Sequence, residues 1–122
     1  MSGERWLIAG QSPYEAQVGY SRAVRVGGFI FVSGTTGSGA NAYEQTTAAI
    51  QGIARALAEA GATLEDVVRT RMFVTTIADW PQIGRAHSEA FAHIRPATSM
   101  LEVARLIAPE MLVEIEADAF VG

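Results

Sequence analysis

The sequence predicts a mixed α/β domain, two β-β-α-type halves around one sheet. Three observations carry that prediction. A hairpin-like apolar stretch opens the patterned part of the chain, two segments follow the helical period, and the last twenty or so residues alternate as strands do. The 122 residues suit one compact domain spanning 1–122, long enough to bury a core without disulfide or metal staples.

In "SRAVRVGGFIFVSG", small or apolar residues alternate with arginine and then run apolar, with Gly27-Gly28 between the halves. This pattern predicts a β-hairpin whose second strand, Phe29 to Ser33, is well buried. "TTGSGAN" is too glycine-rich for either period and reads as a loop with a possible backbone-donor surface. Asn41 with Glu44 three residues on resembles a capping box. Ile50, Ile53, Ala54 and Leu57 form an apolar stripe ended by Gly61, so a helix is expected from about Ala42 to Ala60.

"TLEDVVRTRMFVTTI" turns β-branched, and Arg69 and Arg71 alternate against Thr70 and Met72, which predicts a strand over Val67 to Thr76. Asp79 is expected to cap a second helix, with Pro81 in its first turn, Gln82 at the box position and Pro96 ending it. Ile83, His87, Ala90 and Ile94 share one face of that helix. "ATSMLEVARL" and "MLVEIEADAFV" close the chain as two strands joined by "IAPE".

All nine basic residues are arginines and the net charge is −4. Without lysine there is neither Schiff-base catalysis nor a P-loop. The acidic balance gives nucleic-acid binding little support. The absence of cysteine removes thiolate metal sites, and His87 and His93 alone make a weak case for a metal. No apolar run approaches the roughly 20 residues of a membrane span. The start "MSGERWLIAG" shows neither the basic segment nor the apolar run of a secretory leader, so the cytoplasm is the expected location.

Alternation in the last strand sets Glu114, Glu116 and Asp118 on one face and Val113, Ile115, Ala117 and Ala119 on the other. A row of carboxylates is ordinarily a solvated face. The alternative is that one of them, covered by a neighbouring subunit, has a raised pKa and activates water. In the preceding strand Thr98, Met100, Glu102 and Ala104 share one side, and Glu102 either faces the same space as the acidic row or, the favoured reading, pairs with an arginine of the strand Val67 to Thr76. His87 lies in an apolar stripe, where a histidine is commonly a satisfied packing residue; its functional form would be a titratable group at a cleft.

Taken together, "GYSRAVRVGGFIFVSGTTG", "EQTTAAIQGIARALAEAGATLEDVVRTRMFVTTIADW" and "PATSMLEVARL…VEIEADA" resemble the RidA/YjgF family, also described as reactive intermediate deaminases or L-PSP endoribonucleases, from about Gly19 to Ala119. The resemblance implies a chorismate-mutase-like fold of β-β-α-β-α-β-β type, one mixed sheet with two helices on one face. It further implies a homotrimer around a barrel-like centre, with small-molecule clefts between subunits that hydrolyse imines and enamines without cofactor. Tyr20 matches the tyrosine lining the family cleft, Ser33-Gly34 its "S-G" turn, and Glu114 the glutamate that positions water.

The departures are equally specific. Thr98 in "P-A-T-S" stands where deaminase members carry an arginine, Thr35 replaces a glutamine, Gly84 an asparagine, His87 a tyrosine and Met100 a cysteine. An imino acid's carboxylate is best held by a bidentate arginine, and losing such a contact where the partner charge is buried costs on the order of 2–5 kcal/mol. Arg95 is the preferred remaining anion ligand, although on an extended chain it starts roughly 10 Å away and on the opposite face, unless the chain bends at Pro96 or the next subunit is the recipient. Arg105 also falls on that opposite face. The leading reading is a divergent imine or enamine hydrolase in which Glu114 orients water, the backbone around Gly34 and Thr35 binds developing charge and His87 shuttles a proton. Its weak or absent activity on ordinary 2-imino acids would follow from Thr98. The competing readings are a non-catalytic metabolite-binding trimer and, as a minor one, an endoribonuclease.

Overall fold

The computed structural model describes residues 4–122. Met1–Gly3, part of the opening stretch considered above, lie outside the described residues. In chain order the elements are β1 (Arg5–Ile8), β2 (Ala23–Val26), β3 (Phe29–Thr35), α1 (Ala42–Glu59), β4 (Val67–Val74), α2 (Trp80–Phe91), β5 (Ala97–Glu102) and β6 (Val113–Phe120). The sheet order is β1-β2-β3-β6-β4-β5, antiparallel throughout except for the parallel pair β4-β5. Both helices pack on one face, so the expected mixed architecture is the observed one. Among the described residues no helix is long and apolar enough to cross a membrane.

The core lies between the sheet and α1. From β6 come Val113, Ile115, Ala117 and Ala119, from β3 Ile30 and Val32, and from α1 Ala49, Ile53, Ala56 and Leu57, all buried. Full burial of a side chain such as Leu57 or Ile53 stabilises the fold by about 1.5–3 kcal/mol, which is what pins α1 to the sheet. The helix starts as its sequence predicts, because Asn41 Oδ1 accepts the Glu44 N–H at 2.9 Å. Glu44 itself reaches back one residue further than a capping box requires, to the Ala40 N–H. Gln45, buried at 5 % exposure, fastens two loops to α1: its amide nitrogen donates to Gly39 O and Glu110 O, and its oxygen accepts from the Leu112 N–H.

Several boundaries differ from expectation for identifiable reasons. β1 is unforeseen, since four residues of mostly exposed "RWLI" carry too short an alternation to register. The hairpin turns at Gly27, whose φ of +58° is open to glycine at no steric cost. In β3 only one face is buried: Ile30 and Val32 point inward, whereas Phe29 and Phe31 are 55 % and 48 % exposed and cluster with Phe120 on the open face. β4 ends two residues early, at Val74.

Asp79 does not cap α2 with its side chain. The chain enters through a tight turn of helix, Ile77–Asp79, so Asp79 is already turned into the helical path. Glu102 instead satisfies that entrance by accepting the Ile77 N–H at 2.9 Å, and among the described residues it forms no ion pair with the arginines of β4. α2 stops at Phe91, short of Pro96, because Ile94 N–H and Arg95 N–H both turn back to Phe91 O and Arg95 takes a left-handed φ of +59°. β5 ends at Glu102, so strand alternation does not extend to Ala104 and Arg105.

Candidate functional site

The register of β6 divides its acidic row into two environments. Glu116 and Asp118 stand beside Arg71 of β4, with N–O distances of 3.2 and 3.4 Å. These half-exposed pairs contribute little to stability, on the order of 0–1 kcal/mol, but they occupy both carboxylates. Among the described residues Glu114 has no such partner. It lines a cavity of about 770 Å³ on the open face of the sheet, together with Tyr20, Arg22, Ser33, Gly34 and Arg105. Burial raises the Glu114 carboxyl above its ordinary 4.5, the nearby Arg22 charge opposes that rise, and Glu116 adds to it.

The walls of this cavity follow from the hairpin and a lapse in the β3-β6 ladder. Register shifts between Val32 and Thr35, so Ser33 and Gly34 stand out of the regular pairing directly across from β6. Gly34 lets the Glu114 carboxyl lie close: a Cβ there would come within 2.8 Å of Glu114 Cδ and push aside the end of that flexible side chain. Ser33 Oγ donates to Ser21 O at 2.7 Å, and the Arg22 guanidinium donates to Gly34 O at 2.9 Å and Thr35 Oγ1 at 3.2 Å. That guanidinium also lies 5.6 Å from the Tyr20 ring centroid, the range of a cation–π contact. The bulge turns the Thr35 side chain away from the cavity; it is 5 % exposed, and its hydroxyl donates to Ser33 O.

The remaining candidates gather elsewhere. β5 pairs with β4 so that Thr98 lies beside Thr70 and Met100 beside Met72, which places both on the helix side of the sheet, opposite Glu114. Met100 packs against the core. Thr70, fully buried, joins two groups: its Oγ1 lies 2.9 Å from His87 Nε2 and 2.8 Å from Thr98 Oγ1. Thr98 Oγ1 in turn donates to Pro96 O at 3.4 Å, a long contact. His87, tilted against Phe91, is held below its ordinary pKa of 6.5 by burial and so favours the neutral imidazole.

His87, Arg95 and Thr98 line one cavity of about 280 Å³ at the edge of the sheet. The left-handed turn at Arg95 accounts for this, since it reverses the chain before Pro96 and removes the separation that an extended chain would impose. The single chain therefore holds two separate cavities on opposite faces of the sheet, one around Glu114 and one around His87. Of the charged lining residues, Arg22 was not singled out by sequence reasoning, although counting outward from Gly27-Gly28 sets it opposite Ser33; Arg105 was weighed and set aside on strand alternation, which does not apply because it sits in the connection between β5 and β6. Among the described residues no three acidic or histidine side chains converge as metal ligands do.

Comparison with known proteins adds a consistent set of likenesses. A family model described as Endoribonuclease L-PSP matches residues 9–121. A crystal structure of a YjgF/YER057c/UK114 family member from Mycobacterium tuberculosis is 55 % identical, covers 97 % of this chain and 100 % of that one, and superposes with a TM-score of 0.95. A protein named 2-iminobutanoate/2-iminopropanoate deaminase from Dermatophagoides farinae is 35 % identical over 95 residues, 71 % of this chain and 74 % of its own. One named 3-aminoacrylate deaminase RutC from Acinetobacter baylyi is 31 % identical over 110 residues, 84 % and 86 % of the two chains.

Proposed function

The chain belongs to the Endoribonuclease L-PSP family, the RidA/YjgF group, and from that premise we propose that it is a cofactor-free hydrolase of a small imine or enamine. The observation that carries this reading is Glu114. Its half-buried carboxyl shares an open cavity with Gly34, Tyr20 and Ser33, with its pKa raised by desolvation. A carboxylate so placed accepts a proton from water more readily than an ordinary one, and orients that water toward an electrophilic imine carbon. Attack forms a carbinolamine; its collapse breaks the C–N bond and releases ammonia and a carbonyl product.

The two half-sites need each other for the rest. His87, Thr98 and Arg95 would meet Glu114 in a cleft between copies of the chain, and a homotrimer is the assembly that resemblance to the family supports. The exposed cluster Phe29, Phe31 and Phe120 on the open face gives such an assembly an apolar surface to bury. In that cleft His87, neutral near pH 7, would carry the proton to the leaving nitrogen. Thr98, where deaminase members hold the substrate carboxylate, leaves turnover of ordinary 2-imino acids weak or absent.

The test is ammonia release from freshly generated 2-iminopropanoate by the native protein, Thr98→Arg and Glu114→Gln. Slow native turnover that rises in Thr98→Arg and vanishes in Glu114→Gln supports the reading. A protein inert in all three forms, yet thermally stabilised by small metabolites, would instead be a binding trimer. Sedimentation at one chain mass would overturn the inter-subunit cleft.

A further inference from the structure

We propose that the exposed hydroxyl of Thr98 delivers a proton to the ligand's nitrogen, and that the proton is drawn from His87 through the buried hydroxyl of Thr70. This deepens the proposed function and rests on its placing of the leaving nitrogen at the His87 edge.

Counting hydrogens fixes the direction of the chain. His87 Nε2 lies 2.9 Å from Thr70 Oγ1, which lies 2.8 Å from Thr98 Oγ1. Each hydroxyl has a single hydrogen. Thr98 directs its own to Pro96 O, which can only accept, so toward Thr70 its oxygen is the acceptor. The one hydrogen of Thr70 is thereby committed to Thr98, and Thr70 Oγ1 accepts from His87 in turn. The imidazole therefore carries its proton on Nε2, and every hydrogen of the chain points outward, from α2 through β4 to β5.

Burial separates the two ends. Thr70 is fully buried, so no water competes for its hydroxyl, whereas Thr98 is exposed and lines the cavity of about 280 Å³ with His87 and Arg95. The ring borders that cavity too, but its Nε2 is turned to Thr70, and the proton on that nitrogen reaches a ligand only through the two hydroxyls. At 3.4 Å the bond from Thr98 to Pro96 O is weak, so its hydrogen swings readily to a better acceptor such as an imine or amine nitrogen.

Transfer then runs along the chain. The Thr98 hydrogen passes to the ligand nitrogen, the Thr70 hydrogen to Thr98, and the Nε2 hydrogen to Thr70. Solvent water protonates Nδ1, which has no hydrogen-bond partner among the described residues, and the ring ends neutral. The hydroxide left in solvent is matched by the proton that Glu114 takes from the attacking water. Rotation of the two hydroxyls resets the chain. Thr98 is thus the residue that touches the ligand, and Thr70 acts through it as a positioning residue.

Two readouts test this, one of them independent of turnover. The first is exchange of the His87 Nε2 proton with water, followed by nitrogen-15 NMR in the native protein, Thr70→Val, Thr70→Ser and Thr98→Val. The native ring is expected to be protonated at Nε2 when neutral. Loss of either hydroxyl should slow exchange of that buried proton about tenfold or more, and Thr70→Ser should return it to near the native rate. A neutral native ring protonated at Nδ1, or exchange indifferent to both valines, would overturn the relay. The second readout is ammonia release from 2-iminopropanoate: each valine should lower kcat about tenfold or more with KM within about twofold of native, and Thr70→Ser should recover kcat. Thr98→Arg loses the relay end as it gains a carboxylate ligand, so its benefit should appear in KM and not in kcat. Slowed exchange in a protein without turnover would sink the hydrolase reading alone; turnover abolished by Glu114→Gln yet unaltered by either valine would sink the relay alone.

Discussion

The carboxylate of Glu114 lies over the α-carbon of Gly34, and a side chain at residue 34 would come within 2.8 Å of Glu114 Cδ and 3.2 Å of Cγ. Gly34 therefore sets where the carboxylate rests. Gly34→Ala is expected to displace the end of a flexible side chain at modest cost in stability, while lowering turnover about tenfold or more, since small misplacements of a reacting group are expensive in rate. Parallel measurement of melting temperature and ammonia release checks this; equal losses in both would refute the positioning role.

Glu114→Gln separates chemistry from stability. Because burial raises the folded-state pKa above 4.5, ionisation of Glu114 opposes folding, and its stabilising contribution is fully present below 4.5 and lost as pH rises through the raised value. The neutral amide escapes that loss. The variant should melt higher than native at pH 7, with the gap closing toward pH 4, and should show no turnover; native turnover should climb with pH as the carboxyl ionises.

His87 has the opposite sign. Its folded-state pKa is depressed below 6.5, so the stability it contributes is present above 6.5 and lost as pH falls through the folded value. His87→Gln, which keeps an amide within reach of Thr70, should flatten the decline of melting temperature below pH 6.5. An unchanged slope would show that His87 binds its proton equally well in the folded and unfolded chain, against the depressed value.

Gln45→Ala removes a buried group that donates to Gly39 O and Glu110 O and accepts from Leu112 N–H. Leaving those backbone groups unpaired should cost about 2–4 kcal/mol in denaturant unfolding. The loop carrying Arg105 is held at its far end by this residue, so hydrogen exchange at Leu112 should accelerate as well.

Apart from β1, the sheet and both long helices were legible because each rests on a local rhythm: the alternation of Val113 to Ala119, the stripe of Ile50, Ile53 and Leu57, the glycine pair at the hairpin. The site was legible only in part. Glu114 announced itself through its row, but nothing local says that Arg71 engages Glu116 and Asp118 while leaving Glu114 free. The extended-chain rule sets Arg95 apart from Thr98 unless the chain bends, and no local pattern announces the left-handed turn that supplies the bend; nor does any announce the bulge that turns the Thr35 side chain away from the Glu114 cavity. Glu102 was assigned to an ion pair although its partner is a backbone N–H on a distant turn, a contact that no periodicity encodes.

The left-handed backbone at Arg95 also bears on engineering of this protein. A side-chain residue at φ +59° carries a penalty of about 1–2 kcal/mol that glycine would escape and asparagine would reduce. Thermostabilising searches should therefore find Arg95→Gly or Arg95→Asn early. Each gain would delete the guanidinium from the His87 edge, so heat resistance and whatever that edge selects would be traded at a single codon.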